Sequence, residues 1–261
     1  YLASDLPGLL GLGPHPDYAA LFAAATDDQR IIGEGSTCYI YSEAALPNLR
    51  AFNPAAKIVA LVRNPVDAVV SFHAQLCYDT DEDQMDFAAA WRLQRQRRQG
   101  HAIPRYCRAP ARLQYQRVFQ LGGHVERILD IYPQRQVKLI CFDDFTSSPA
   151  TVYHDLLAFL DLPRDHRRDF PDINRSTRHR LRWLGRLTMQ PPPLLRRPAE
   201  ALKRKLGVAS LGLGPRVIRW NRRYVRRRPI PHEMRRELTD TFRTDILKLA
   251  HIMDRDLSDW L

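Results

Sequence analysis

Lys57-Ile58-Val59-Ala60-Leu61-Val62-Arg63-Asn64-Pro65-Val66-Asp67-Ala68-Val69-Val70-Ser71 is the stretch that decides the fold of this chain. Ile58 to Val62 form an apolar run without a polar break, the pattern of a strand buried on both faces of a parallel sheet. Arg63 puts a cation at the strand's carboxyl end. Asn64 then stands where a helix N-cap would, Pro65 at the first helical position and Asp67 in the first turn. A strand, a tight corner and a helix follow one another, and in open α/β sheets ligands bind along that carboxyl edge. Ser71 lies two turns into the helix, on the order of 10 Å along its axis. An arginine fork and a hydroxyl so spaced suit a phosphate monoester. The same spacing also fits an arginine that caps the sheet edge and a serine that faces solvent.

Working outward, Val137 to Phe142 is a second continuous apolar strand. Helical material separates the two, which is the signature of a right-handed crossover in a parallel sheet. The expected class is therefore α/β, a central parallel sheet flanked by helices with a helical C-terminal part. Before the first strand, Asp17 to Ala25 reads as a short helix that buries Leu21 and Phe22, and Ser42 to Phe52 as another. After it, Phe87 to Gln99 reads as one long helix ended by Gly100, and Arg117 to Ile131 as another with Val118, Leu121, Val125, Ile128 and Leu129 on its apolar side. Pro149 opens a helix to Leu160. His232 to Asp254 carries Leu238, Phe242, Ile246, Leu249 and Met253 on one side. Residues 1–261 are expected to form a single domain, with 175–231 a basic, mobile insertion within it.

The net charge is +11 over 261 residues, and it is uneven. Residues 164–228 hold 20 Lys and Arg against 4 Asp and Glu, so the rest of the chain is net negative. That stretch suits an anionic cofactor, an acidic glycan, anionic lipid or nucleic acid, or it is a solvated basic surface. Trp220, Tyr224 and their arginines suit stacking on bases or sugars, or dock onto the body of the protein. The acidic patch from Asp79 to Asp86 and Arg92, Arg95, Arg97 and Arg98 read as solvated faces. Four scattered cysteines show no metal-ligand spacing and imply a reduced compartment. No apolar run reaches the ~18 residues that span a bilayer, and no targeting segment is visible, so the expected location is cytoplasmic. Glu34, beside Ile31 and Ile32, is a carboxylate that partial desolvation would make more basic, or one that pairs with Arg63. Asp143 and Asp144 read as turn and cap residues, and His73 and His101 as structural.

Arg63-Asn64-Pro65 followed by Ser71 resembles the 3′-phosphate-binding motif of the sulfotransferases that use PAPS (3′-phosphoadenosine 5′-phosphosulfate). Ile31-Ile32-Gly33-Glu34-Gly35-Ser36-Thr37-Cys38-Tyr39 resembles that family's Gly-Glu-x-(Ser/Thr)-x-x-Tyr segment. Phe142-Asp143-Asp144-Phe145 with Pro149 and Phe159-Leu160-Asp161-Leu162-Pro163 resembles its late strand and following helix. Arg255-Asp256-Leu257-Ser258-x-Trp260 is similar to its ending. Asn174-Arg175-Ser176-Thr177-Arg178 resembles the loop that folds over the cofactor's 3′-phosphate and adenosine. The resemblance, to the bacterial or carbohydrate-type branch, implies a P-loop-like fold and in-line transfer of a sulfuryl group from PAPS to an acceptor hydroxyl, a carbohydrate or other small or lipid alcohol. It implies Glu34 as the base, Arg63, Ser71, Arg175, Ser176 and Arg178 as cofactor-binding residues, and no metal. It carries no expectation of nucleic acid, and membrane contact would fall to the basic C-terminal third; oligomeric state is unreadable. The family's 5′-phosphosulfate loop, Lys-x-Gly-Thr-(Thr/Ser), has no counterpart in residues 1–30 and is expected to precede Tyr1. The alternatives are a related P-loop nucleotide kinase and a non-catalytic protein that binds nucleotide or polyanion.

Overall fold

The computed structural model describes residues 1–8, 18–171, 177–189, 213–224 and 229–261. In chain order the helices and strands are α1 (Ala45–Phe52), β1 (Ile58–Val62), α2 (Pro65–Tyr78), α3 (Phe87–Arg92), α4 (Gln94–Arg98), α5 (Tyr115–Val118), α6 (Leu121–Ile131) and β2 (Val137–Cys141). They continue as α7 (Phe142–Ser147), α8 (Pro149–Phe159), β3 (Thr177–His179), α9 (Arg182–Met189), α10 (Leu213–Asn221), β4 (Arg222–Tyr224) and α11 (His232–Met253). The chain divides into two compact units. The first comprises Tyr1–Val69, Gln114–Pro171 and His232–Leu261; the second comprises Val70–Leu113 and Asp172–Pro231. Helix α2 begins in the first and ends in the second.

In the first unit β1 and β2 pair in parallel, Ile58 opposite Val137 through to Val62 opposite Cys141. The α/β class expected from the two apolar runs is the class observed. Helices α1 and α6 bring Leu46, Ile128 and Tyr132 onto Ala60 and Val137, and these five side chains form one buried cluster. The expectation that β1 is buried on both faces is corrected. Successive residues of a strand point to opposite faces. Ala60 and Val62 face inward, whereas Val59 and Leu61 remain 43% and 48% exposed, because cover on their side is partial.

The first unit also corrects the helix expected over 117–131, which is two helices. In one continuous helix the amides of Gly122 and Gly123 would bond back to residues of the preceding turn. Instead they donate to the Asp245 carboxylate at 2.8 and 2.9 Å, which caps α6 from α11. Gly122 is required there: a Cβ would stand 2.4 Å from the Asp245 carbonyl oxygen. Leu238, Phe242, Ile246 and Leu249 are buried along one side of α11, as their spacing predicts. The N-terminal turn is shorter than expected, a 3-10 turn over Ala19–Phe22 that leaves Leu21 exposed.

In the second unit the long helix expected over 87–99 breaks at Leu93. Its amide reaches both the Ala89 and the Ala90 carbonyls, a tightened turn. Gly100 ends α4 in the left-handed region with φ 83°, and the His101 amide bonds back to the Gln96 carbonyl. The acidic patch is only in part the solvated face that its composition suggests: Asp83 and Asp86 are exposed, but Asp81 and Glu82 are buried. Arg97 donates to both oxygens of Glu82 at 2.6 and 2.8 Å, and both side chains are almost wholly inaccessible. Asp81 accepts from the Arg108 amide and guanidinium and from Arg112. A buried carboxylate is tolerated when a guanidinium meets it in this two-pronged way.

Also in the second unit, β3 and β4 form a short antiparallel ribbon flanked by α9 and α10. Within the 175–231 stretch the described residues are therefore folded around one imidazole, that of His179. Its ring stacks on Tyr78 with centroids 4.3 Å apart. Nε2 donates to the Tyr78 carbonyl at 2.8 Å, which leaves Nδ1 to accept from the Asn221 amide at 3.3 Å. Buried Asn221 also bonds the backbone N–H and C=O of Leu181. Gly185 closes the arrangement, since a Cβ there would lie 2.4 Å from the imidazole.

Two outcomes follow from these contacts. Arg97→Met takes the cation from buried Glu82 and should cost about 3–5 kcal/mol in urea unfolding; a loss under about 1 kcal/mol would contradict that account. Gly185→Ala overpacks a ring that stacking and two hydrogen bonds hold in place, and should cost about 1–3 kcal/mol. An unchanged melting temperature would mean that the ring can yield.

Candidate active site

The register of the parallel ladder sets the first feature. Val62 lies opposite Cys141, so the next residues, Arg63 and Phe142, are neighbours at the carboxyl edge. The Arg63 guanidinium sits over the Phe142 ring, 4.7 Å from its centroid. Stacking of this kind aligns an arginine without consuming its donors. Among the described residues no carboxylate forms an ion pair with Arg63. The corner then closes as the sequence predicts: Asn64 Oδ1 accepts from the Val66 amide at 2.9 Å, and its carbonyl accepts from Ala68. Asp67 in the first turn pairs with Arg235 of α11 at 2.8 Å.

The two aspartates after Phe142 are where the C-terminal segment docks. Arg255 grips Asp144 with both guanidinium nitrogens, which holds that carboxyl below its ordinary range. Trp260 Nε1 donates to Asp143 at 3.0 Å. Asp143 and Asp144 therefore bind the chain's end as well as turning the corner, and two motifs that look separate in sequence form one assembly. Among the described residues no cluster of His, Cys, Asp and Glu has the makings of a metal site. Beside the corner opens a cleft of about 640 Å³. Its lining includes Asn64, His232, Arg235, Arg236, Arg243 and Trp260.

Glu34 is exposed, not desolvated, because Ile31 and Ile32 beside it are themselves exposed. It is a hydrogen-bond partner of the Tyr18 and Tyr39 hydroxyls. Burial, with the carboxylate's charge and hydrogen bonds behind it, raises both phenols; Tyr39 is pushed up to about 12. Both therefore stay protonated at neutral pH and present donors to Glu34. The alternative pairing of Glu34 with Arg63 is not among the ion pairs of the described residues. Tyr39 closes the Gly-Glu motif and was visible in sequence. Tyr18, sixteen residues upstream, had no spacing to announce it.

The remaining site candidates belong to the second unit. Ser71 is half-buried on α2, and Tyr78 is seven residues further, hence on the same helical face. The stack of His179 on Tyr78 fastens β3, which carries exposed Arg178. Arg178 and Arg182 are close enough to Cys77, next to Tyr78, to oppose the rise that burial imposes on its thiol. Arg175 and Ser176 lie outside the described residues. His73 is buried with Nε2 on the Gln84 carbonyl at 2.8 Å, and burial lowers its pKa, as suits a structural histidine.

Comparison with known proteins agrees with the motifs. The chain resembles the crystal structure of a sulfotransferase from Alicyclobacillus acidocaldarius, with a TM-score of 0.62 and 23% identity. The match covers 94% of this chain and 74% of that one, and it is a likeness of fold. No curated protein matches the chain. The pattern described as the sulfotransferase family matches residues 14–166, more than half of the sequence. With the strand, corner and helix in place at its centre, the chain belongs to the sulfotransferase family, whose chemistry is the transfer of a sulfuryl group.

Proposed function

We propose that this protein moves the sulfuryl group of PAPS to the hydroxyl of a carbohydrate or other small or lipid alcohol, with Arg63 and Ser71 holding the nucleotide's 3′-phosphate and Glu34 serving as base. The observation that carries this reading is the Arg63 guanidinium at the strand's carboxyl end, aligned on Phe142 and paired with no carboxylate among the described residues. Its donors suit a phosphate, the N-terminus of α2 beside it favours an anion, and Ser71 supplies a hydroxyl two turns along the same helix. Arg178 is proposed as a further cation for the nucleotide, as are Arg175 and Ser176 as cofactor-binding residues outside the described part of the chain. The adjoining cleft has a mixed lining, in which Asp240 and Asp259 stand among the three arginines and His232.

PAPS, when bound, supplies the sulfuryl group and the phosphate that departs with it. Arg63 and Ser71 fix the register of the nucleotide by its 3′-phosphate, and register governs in-line attack. Glu34 takes the proton of the acceptor hydroxyl as the acceptor oxygen bonds to sulfur. The sulfur–oxygen bond to the 5′-phosphate breaks, and its electron pair leaves on adenosine 3′,5′-bisphosphate. Tyr18 and Tyr39 hold the Glu34 carboxylate in place for that task. The protein's contribution is positioning and charge stabilisation, as in phosphoryl transfer.

Two variants separate the roles. Glu34→Gln should lower kcat about 10²–10⁴-fold while leaving protection by adenosine 3′,5′-bisphosphate intact. A rate within twofold of wild type would remove Glu34 from the chemistry. At a hundred times its Kd the nucleotide should add about 2.7 kcal/mol to the stability of the full-length enzyme. Ser71→Ala should then need roughly 10-fold more nucleotide for the same gain, the loss of one hydrogen bond to a charged group. Equal titration curves for the two proteins would exclude Ser71 from the phosphate site.

A further inference from the structure

The described parts of the basic stretch, residues 177–189 and 213–224, contain eight arginines and no aspartate or glutamate. They are also rich in exposed apolar groups. Trp183 is 65% exposed, Trp220 57% and Tyr224 62%, and Leu181 and Leu187 are exposed beside them. On α9, Trp183 and Leu187 stand four residues apart and form one ridge; Arg182 and Arg186 form the next. On α10, Arg216, Arg219 and Trp220 are exposed, while the helix is fixed from below by buried Asn221. So the helices are held in place by the His179 and Asn221 contacts, and their outward sides mix cations with aromatic and aliphatic side chains.

A polyanion in water rewards the cations alone. A sulfated glycan or a duplex offers nothing apolar to Leu181 and Leu187, and single strands stack on tryptophan but not on leucine. A bilayer interface with anionic headgroups rewards both kinds of group. Arginine pairs with the phosphates, tryptophan and tyrosine prefer the headgroup level, and short aliphatic ridges enter the acyl boundary. Among the described residues no helix is long and apolar enough to cross a membrane, so such contact would be in the plane of the interface. We propose that α9, α10 and the β3–β4 ribbon form a docking surface for an anionic lipid membrane, with Trp183, Leu187, Trp220 and Tyr224 as the inserted groups and Arg216 and Arg219 as headgroup contacts. This surface stands whether or not the sulfuryl-transfer reading does.

The chain's four tryptophans make the test direct. Trp91 and Trp260 are 7% and 6% exposed, so a lipid-dependent signal reports Trp183 and Trp220. The full chain is titrated with vesicles of phosphatidylcholine, with or without 30% phosphatidylglycerol, roughly a plasma-membrane-like anionic load. Expected are a blue shift in emission, quenching by lipids brominated on the acyl chain, and a partition coefficient about tenfold larger on the anionic vesicles. Trp183→Ser with Trp220→Ser should abolish the shift and reduce co-sedimentation by about tenfold, as should Arg216→Glu with Arg219→Glu. All four side chains are exposed, so these variants should melt like wild type. Absence of quenching by brominated lipid would overturn the proposal. So would binding to heparin or to an oligonucleotide that exceeds binding to anionic vesicles and is unchanged by the double serine variant.

Discussion

A guanidinium held on an aromatic ring at the end of two paired strands is the contact from which the rest of the site follows. The ladder fixes Val62 against Cys141, and that register alone makes Arg63 and Phe142 neighbours. A one-residue slip would turn the arginine to the other face of the sheet. The same corner has no slack on its helical side, because Asn64 caps α2 and Pro65 fixes the first helical φ. Arg63 is therefore positioned by backbone geometry on one side and by a ring on the other, and among the described residues no carboxylate pairs with it.

The C-terminal segment makes that corner sturdier. Asp143 and Asp144, which follow Phe142 immediately, are taken up by Trp260 and Arg255. Those contacts commit both carboxylates to the chain's end. Long α11 carries the segment there, and it is seated on α6 by the carboxylate of Asp245 and the close approach that Gly122 permits. A helix remote in sequence from the corner thus supports it through ordinary packing and capping.

How much of this could be read in advance depended on how local each cause was. Strand β1, its N-cap and the parallel partner were legible, because a five-residue apolar run followed by Asn-Pro has few other solutions. The apolar side of α11 was legible for the same reason. The breaks at Leu93 and after Val118 were not, since they depend on partners such as Asp245 that are remote in sequence. Glu82 and Arg97 looked like surface charges; only tertiary contact shows that two residues fifteen positions apart meet in the interior. Of the candidate residues, Glu34, Arg63, Ser71 and Arg178 were marked by motif spacing, and Tyr39 by its place in one. Phe142's role under Arg63, the tie of Arg178 to α2 through His179, and Tyr18's bond to Glu34 all required coordinates. Exposed Val59 and Leu61 record the limit of reading burial from an apolar run, because the pleat assigns alternate residues to a face whose cover the sequence does not name.

The central claim concerns one charge and one phosphate, and a thermodynamic cycle measures that pair alone. Calorimetry on wild type and Arg63→Ala would compare adenosine 3′,5′-bisphosphate with adenosine 5′-monophosphate, which differ by the 3′-phosphate. The account predicts that wild type favours the bisphosphate by about 2–3 kcal/mol, a charge-assisted pair, and that this preference falls below about 0.5 kcal/mol in the variant. A preference for the 3′-phosphate that survives the loss of Arg63 undiminished would contradict it.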